Sequence, residues 1–209
     1  AAQQVDRAKE RSHRRRLLVL PGSRRSEVNR LLGPFRDAVN ILTERGNTFE
    51  VTIPTVPHVA SLVEAATSDW PIKPTIVQEQ SEKWRAFAHA DAALAASGTA
   101  LLELALCRVP TVSCYKTDPF IGPLMRRLVT VWSAALPNLI ADWPVVPEYF
   151  DDLVRPAHIA RMLEQLMGET NLRASQLSGF SQVSSCMKTP LPPGELAAEA
   201  VLTEISRRA

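Results

Sequence analysis

Short apolar runs alternate with helically spaced apolar residues over the first half of the chain. Apolar runs bounded by turn residues indicate buried strands, and apolar residues that recur every three or four positions indicate amphipathic helices. Five strands are predicted in this way, carried by the stretches LLVL, TFEVTIP, PTIVQEQ, DAALAAS and VPTVSCYK. Because helical patterns separate these strands, the chain is predicted to be an α/β protein with a Rossmann-like, mostly parallel sheet and flanking helices.

The pattern changes after Val131. The stretch WSAALPNLIADWPVVPEYFDD is rich in Pro and Trp and holds no helical period, so we expect a long structured loop there. A helix is predicted from Pro156 to its end at Gly168, and two more near 169–188 and 194–207, separated by TPLPPG. The predicted organisation is a basic leader or interdomain linker at 1–16, a Rossmann-like domain at 17–168 and a C-terminal helical segment at 169–209.

Charge and cysteine content narrow the classes of function. The net charge is only +2, and basic residues crowd the N-terminal stretch AAQQVDRAKERSHRRR. Such a leader is either simply solvated or attracted to an anionic membrane surface, whereas the absence of interleaved aromatic residues argues against nucleic acid. Cys107, Cys114 and Cys186 form no CxxC pair and are interpreted as reduced thiols of a cytoplasmic protein. No metal site and no nucleophilic triad is predicted.

The first candidate site is the stretch LLVLPGSRRSEVNRLL. Leu20 ends a strand, Gly22 permits close approach of the backbone to an anion, and Ser23 is predicted to cap the following helix. Arg24 and Arg25 would then lie in the first turn, where arginine is unfavourable unless an anion binds. A phosphate site and an ordinary helix cap with solvated arginines both fit this spacing.

The second candidate site is the stretch AASGTALLELAL. Ser97, Gly98 and Thr99 form a turn of small residues between a strand and a helix, where free N–H groups favour an anion. Glu103 lies one turn further along the same helical face and could accept hydrogen bonds from a sugar diol. It could equally be the solvent-facing position of an amphipathic helix. Asn138, in LPNLIA, could cap a helix or bind a ligand.

Five stretches in this order resemble the C-terminal half of the lipid-A-disaccharide synthase family, from Leu17 to about Leu166. They are LLVLPGSRRSEVNRLLGPF, ALAASGTALLELAL, PTVSCYKTDPF, RRLV and LPNLIADWPVVPEYF. The resemblance implies a glycosyltransferase of the two-domain GT-B fold that transfers 2,3-diacylglucosamine from UDP to 2,3-diacylglucosamine 1-phosphate. The products are a β-1,6 lipid A disaccharide and UDP. It further implies a peripheral protein at the cytoplasmic face of the inner membrane, with no metal or other cofactor.

The resemblance also implies a role for each candidate residue. The UDP-2,3-diacylglucosamine donor would contact Arg24 through its diphosphate, at the turn that contains Gly22 and Ser23. Ser97, Gly98 and Thr99 would hold the phosphates. Glu103 would bind the ribose, and Asn138 would lie on the sugar or uridine side.

Several departures keep other interpretations open. Family members are about twice as long, so the acceptor domain and the catalytic residue are expected before Ala1, and this chain alone is expected to bind donor without turnover. Lys116 replaces an expected arginine, and Trp132 and Trp143 are unfamiliar in the loop. The alternatives are another GT-B UDP-sugar enzyme (a UDP-N-acetylglucosamine epimerase or the peptidoglycan transferase), which would lack LPGSR, or a non-catalytic nucleotide-sugar-binding module.

The last segment carries apolar faces that would lie in water in the absence of a covering domain. They are formed by Val183, Met187, Leu196, Val201, Leu202 and Ile205. Because exposed apolar area is unfavourable, we expect these faces either to fold back on the domain or to pack against a second copy, and the homodimer is the favoured prediction.

Overall fold

The computed structural model describes residues 14–118 and 131–208. Most of the predicted basic leader, at 1–13, and the RRLV stretch at 126–129 lie outside the described residues. Within them, Arg15 already belongs to the first strand, two residues earlier than predicted.

The described residues form one parallel sheet of six strands in the order β3-β2-β1-β4-β5-β6. The strands are β1 (Arg15–Leu20), β2 (Phe49–Pro54), β3 (Thr75–Val77), β4 (Ala92–Ala96), β5 (Thr111–Tyr115) and β6 (Glu148–Phe150). The predicted α/β class and parallel sheet are confirmed, and β1 to β5 correspond to the five apolar runs. The order reverses between β1 and β4, as it does in doubly wound folds.

Helices cover both faces of the sheet. They are α1 (Arg25–Glu44), α2 (Pro57–Ala66), α3 (Gln80–His89), α4 (Ala100–Leu106), α5 (Leu136–Ala141), α6 (Pro156–Met167), α7 (Asn171–Cys186) and α8 (Pro193–Arg208). A short 3₁₀ turn occupies Asp151–Leu153. None of the helices in this part of the chain is long and apolar enough to cross a membrane.

The sequence interpretation of the segment after Val131 as a loop is wrong over 136–150. Here α5 forms, with a proline in its first turn, and β6 pairs with β5 through Ser113 and Glu148. A strand of three residues is too short to show a period in the sequence, and its place is decided by backbone hydrogen bonds to a distant neighbour.

The core lies on both faces because side chains alternate along each strand. Leu17 and Val19 of β1 pack on the face covered by α1, α2 and α6, where Phe35 is fully buried. Leu18 and Leu20 pack on the other face, against α3, α4, α5 and α7. The helices α1 and α4 lie on opposite faces of the sheet, and both begin at the same edge of it.

The C-terminal helices do not form one unit. Phe180 and Val183 of α7 are fully buried in the domain core, and Gln176 bonds both backbone groups of Thr111, at 2.7 and 2.9 Å. For Val183 the structure shows the alternative in which the segment folds back on the domain, because α7 completes the second face of the sheet. In contrast, α8 exposes apolar side chains to about 60% of their area, at Val201, Leu202 and Ile205.

Candidate functional site

The two turns singled out in the sequence lie side by side at the carboxyl edge of the sheet. Leu20 at the end of β1 is the register partner of Ala95 near the end of β4. The turn from Pro21 to Arg24 and the turn from Ser97 to Thr99 therefore leave neighbouring strands at the point where the strand order reverses. In open α/β sheets this crevice is where ligands bind.

The β4–α4 turn is open. Gly98 has φ +148°, a conformation that other residues rarely adopt, and a Cβ built on it would have no described atom within 4 Å. Among the described residues, the backbone N–H groups of Gly98, Thr99 and Ala100 meet no acceptor. Two hydrogen bonds hold the start of the turn: the N–H of Ser97 donates to the carbonyl of Cys114, and its hydroxyl donates to the carbonyl of Ala134. These N–H groups are therefore suited to an anion.

The β1–α1 turn is filled by the chain's own carboxylate. Glu27 Oε2 accepts the backbone N–H groups of Ser23 and Arg24, at 3.1 and 3.2 Å. Gly22, with φ +107°, is required here because a Cβ would lie 2.7 Å from the Cβ of Glu27. The turn thus holds an anionic group, as its residues suggested, but that group is the carboxylate of Glu27 and not a phosphate.

Ser23 is not the helix cap, contrary to the sequence prediction. Arg24 is the N-cap residue, α1 begins at Arg25, and the side chain of Glu27 satisfies the free N–H groups instead. Ser23 contributes its carbonyl, which accepts a hydrogen bond from His58 Nε2 at 2.7 Å. This bond ties the start of α2 to the turn.

The Arg24 side chain is 77% exposed and forms an ion pair with Glu27 at 2.9 Å. Ion pairs as exposed as this one contribute about 0–1 kcal/mol, so a stronger anionic partner can replace Glu27 at little expense. The present bond of the guanidinium therefore does not exclude a phosphate.

Glu103 is paired rather than simply solvated. Its Oε2 lies 2.5 Å from Lys83 Nζ of α3, and its side chain is 35% exposed. Both side chains are near the N-terminal ends of their helices, which lie at the carboxyl edge of the sheet. Glu103 thus faces the same edge as the β4–α4 turn, four residues after Thr99.

Asn138 is buried near the β4–α4 turn, with its amide fully engaged by neighbouring groups. It is 1% exposed, and its amide bonds both backbone groups of Val146 and the carboxylate of Glu148. Glu148 in turn accepts the N–H of Ala134, whose carbonyl accepts from Ser97. A chain of hydrogen bonds therefore connects Asn138 to the β4–α4 turn.

Sequence reasoning missed Glu27, Lys83 and Glu148. For Glu27 a signal was present, because a glutamate three residues after a helix cap is typical of a capping box. Lys83 and Glu148 carry no such signal, since their partners lie 20 and 10 residues away and meet them only through the packing of separate elements.

Cys114, directly beneath the β4–α4 turn, is not a reactive thiol. Burial raises its pKa to about 12, so it stays protonated near neutral pH. Burial also raises the pKa of the neighbouring Tyr149, with a smaller contribution from Cys114. None of Cys107, Cys114 and Cys186, all of them described, forms a disulfide.

Two solved glycosyltransferases share this architecture. The chain is similar to CalG4, the calicheamicin glycosyltransferase, with a TM-score of 0.57, 18% identity, and coverage of 96% of this chain and 46% of CalG4. It is also similar to Acinetobacter baumannii MurG, with a TM-score of 0.55, 13% identity, and coverage of 91% and 50%. The fold is that of one half of a GT-B glycosyltransferase, as predicted.

A narrower assignment follows from sequence similarity. The family model for lipid-A-disaccharide synthetase matches residues 2–186. The lipid-A-disaccharide synthase of Rhodospirillum centenum is 42% identical over 92% of this chain, and that of Bradyrhizobium diazoefficiens is 38% identical over 91%. The chain belongs to the lipid-A-disaccharide synthase family. It spans about half the length of these curated relatives, 48% and 49%.

Proposed function

We propose that this chain binds the UDP-linked donor sugar of a lipid-A-disaccharide synthase in the crevice between β1 and β4. The observation that carries the proposal is the juxtaposition of the open turn at Gly98 with the Arg24 turn at the point where the strand order reverses. Family membership supports UDP-2,3-diacylglucosamine as the donor and 2,3-diacylglucosamine 1-phosphate as the acceptor. The reaction proposed for the whole protein forms the β-1,6 disaccharide and releases UDP.

The diphosphate is assigned to the β4–α4 turn. The N–H groups of Gly98, Thr99 and Ala100, which meet no acceptor among the described residues, are suited to phosphate oxygens. No described atom lies within 4 Å of a Cβ built on Gly98, which leaves room for them. As the glycosidic bond breaks, negative charge grows on the departing UDP. Donors fixed before the reaction stabilise that charge without reorganising, and Arg24 is placed to add a positive charge.

Engagement of Arg24 involves an exchange of partners. Glu27 holds the guanidinium in the structure, and a diphosphate would compete with that carboxylate for it. Phosphate offers more charge and more acceptor oxygens than a carboxylate, so the exchange is favourable once UDP is bound at the neighbouring turn.

Glu103 is assigned to the ribose hydroxyls, because it lies one helical turn beyond the diphosphate turn. Asn138 is assigned the supporting role that its hydrogen bonds indicate, in place of the direct contact expected from the sequence.

Calorimetric titration with UDP, UDP-N-acetylglucosamine and uridine tests the proposal. We expect both diphosphates to bind and uridine to bind at least tenfold more weakly, because uridine lacks the groups that the two turns would hold. The Glu103→Gln variant should lose affinity for UDP but little for 2′,3′-dideoxy-UDP. Loss of the carboxylate weakens binding only of a ligand whose ribose hydroxyls it would pair. Equal affinity for UDP and uridine would contradict the assignment of the turns.

An anionic membrane surface and a homodimer are further proposed partners, with a peripheral location at the cytoplasmic face of the inner membrane. The membrane proposal rests on the basic N-terminal stretch of the sequence. The dimer proposal is supported by the exposed apolar residues of α8, a helix that follows the end of the family match at residue 186.

A further inference from the structure

Lys83 is held between an acid and two aromatic rings. Its Nζ lies 2.5 Å from Glu103 Oε2, 4.8 Å from the centre of the Trp84 ring and 5.4 Å from that of Phe87. Phe87 is fully buried and meets Trp84 edge to face, with ring centres 5.6 Å apart. The ammonium group therefore lies against two packed aromatic rings, and cation–π attraction adds to the ion pair.

This arrangement fixes one oxygen of the Glu103 carboxylate and leaves the other available. Oε2 is taken by Lys83, whereas Oε1 has no hydrogen-bond partner among the described residues. A glutamate side chain has three rotatable bonds, and a free carboxylate at its end would sample many orientations. With Lys83 in place, the open oxygen points in a limited range of directions before any ligand arrives.

We propose that Lys83 is a positioning residue for recognition of the nucleotide's ribose. It holds Glu103 in the orientation in which Oε1 accepts a hydrogen bond from a ribose hydroxyl, and it does not itself touch the nucleotide. The inference rests on the proposed function, because Glu103 has to be the group that pairs the ribose. Its physical basis is preorganisation: the entropy of ordering the carboxylate is lost on folding and not on binding.

The Lys83–Glu103 pair is expected to contribute more to the orientation of Glu103 than to the stability of the fold. The pair joins α3 to α4, two helices that also meet through the buried core on that face of the sheet. Pairs with side chains exposed to 27% and 35% add little to the free energy of folding. Lys83 also orients the Glu103 carboxylate at the edge of the sheet where the two turns lie. An ion pair elsewhere on the surface would not do this.

The test compares Lys83→Met with Lys83→Arg and with a matched control, Arg45→Met. Arg45 pairs with Glu164 at 2.9 Å, with similar exposure of 43% and 26%, at the C-terminal end of α1 and hence at the opposite edge of the sheet. For each variant, thermal unfolding is recorded and the dissociation constants of UDP and 2′,3′-dideoxy-UDP are measured by calorimetry.

The expected result is a change in the ratio of the two constants. Lys83→Met should weaken UDP about three- to tenfold and dideoxy-UDP less than twofold. Lys83→Arg should restore the ratio to within about twofold of the parent chain, and Arg45→Met should leave it unchanged. Equal weakening of both ligands, or tighter UDP binding, by Lys83→Met would overturn the inference while the proposed function stands. Failure of the parent chain to bind UDP, or to prefer it over dideoxy-UDP, would overturn both.

Discussion

Replacement of Gly98 by alanine tests the β4–α4 turn most directly. At φ +148° the backbone of Gly98 is in a region that L-residues rarely adopt, and strain there amounts to about 1–3 kcal/mol. Because a Cβ would meet no atom of the described residues within 4 Å, no clash with them adds to that strain. For a chain of this size, each kcal/mol lowers the unfolding temperature by about 2–4 °C, so a decrease of roughly 2–12 °C is expected.

The effect on binding should exceed what the loss of stability explains. The Cβ of Gly98→Ala would enter the space that the diphosphate is proposed to fill, directly beside the N–H groups that would hold it. We expect the affinity for UDP to fall at least tenfold, equivalent to about 1.4 kcal/mol, with little change for uridine. Calorimetry well below the unfolding temperature measures both, and scanning calorimetry gives the stability.

Gly46→Ala is the matched control. Gly46 also has a positive φ, +80°, with no atom within 4 Å of a built Cβ, but it follows α1 at the other edge of the sheet. It should destabilise the chain by about 1–2 kcal/mol and leave UDP binding unchanged. If Gly98→Ala binds UDP within twofold of the parent chain, the diphosphate does not occupy this turn and the reasoning is refuted.

Four further outcomes are expected. Arg24→Ala should weaken UDP more than uridine, by a charge-assisted bond of about 1.5–3 kcal/mol, and equal calorimetric losses would contradict the diphosphate contact. Asn138→Ala should lower the free energy of unfolding by about 1–3 kcal/mol in urea, because buried groups of Val146 lose their partners, and an unchanged midpoint would argue against the anchoring role. Between pH 9 and 12 the unfolded chain loses the Cys114 proton that the folded chain keeps, so the free energy of unfolding should fall by a few kcal/mol as pH rises. Urea titrations at several pH values should show a smaller decline for Cys114→Ala, and an equal decline in both chains would refute this role of Cys114. Light scattering should give a dimer for the full chain and a monomer for one that ends at Lys188, and a monomeric full chain at high micromolar concentration would exclude the dimer.

The truncation is placed after α7 for a structural reason. A chain ending at Gly168, the predicted domain boundary, would lack Phe180 and Gln176. Both lie in the core, and their loss would unfold the domain rather than test association. Ending the chain at Lys188 removes α8 alone and keeps the residues that the family model matches.

The sequence alone determined the fold class and the two turns. Apolar runs such as LLVL and DAALAAS are long enough to show that they are buried on both faces, and Gly22 and Gly98 mark the positions where the backbone adopts a positive φ. These are local properties, set by side-chain periodicity and by the freedom of glycine, so they can be recognised without knowledge of the neighbours.

Tertiary structure decided which groups meet. It joined Lys83 to Glu103 and connected Asn138, through Glu148, to the β4–α4 turn. It also paired β6 with β5, buried α7 in the core and left α8 exposed at the surface. Hydrogen bonds and ion pairs depend on distances of a few ångströms between separate elements, and only the packing of those elements in three dimensions sets these distances.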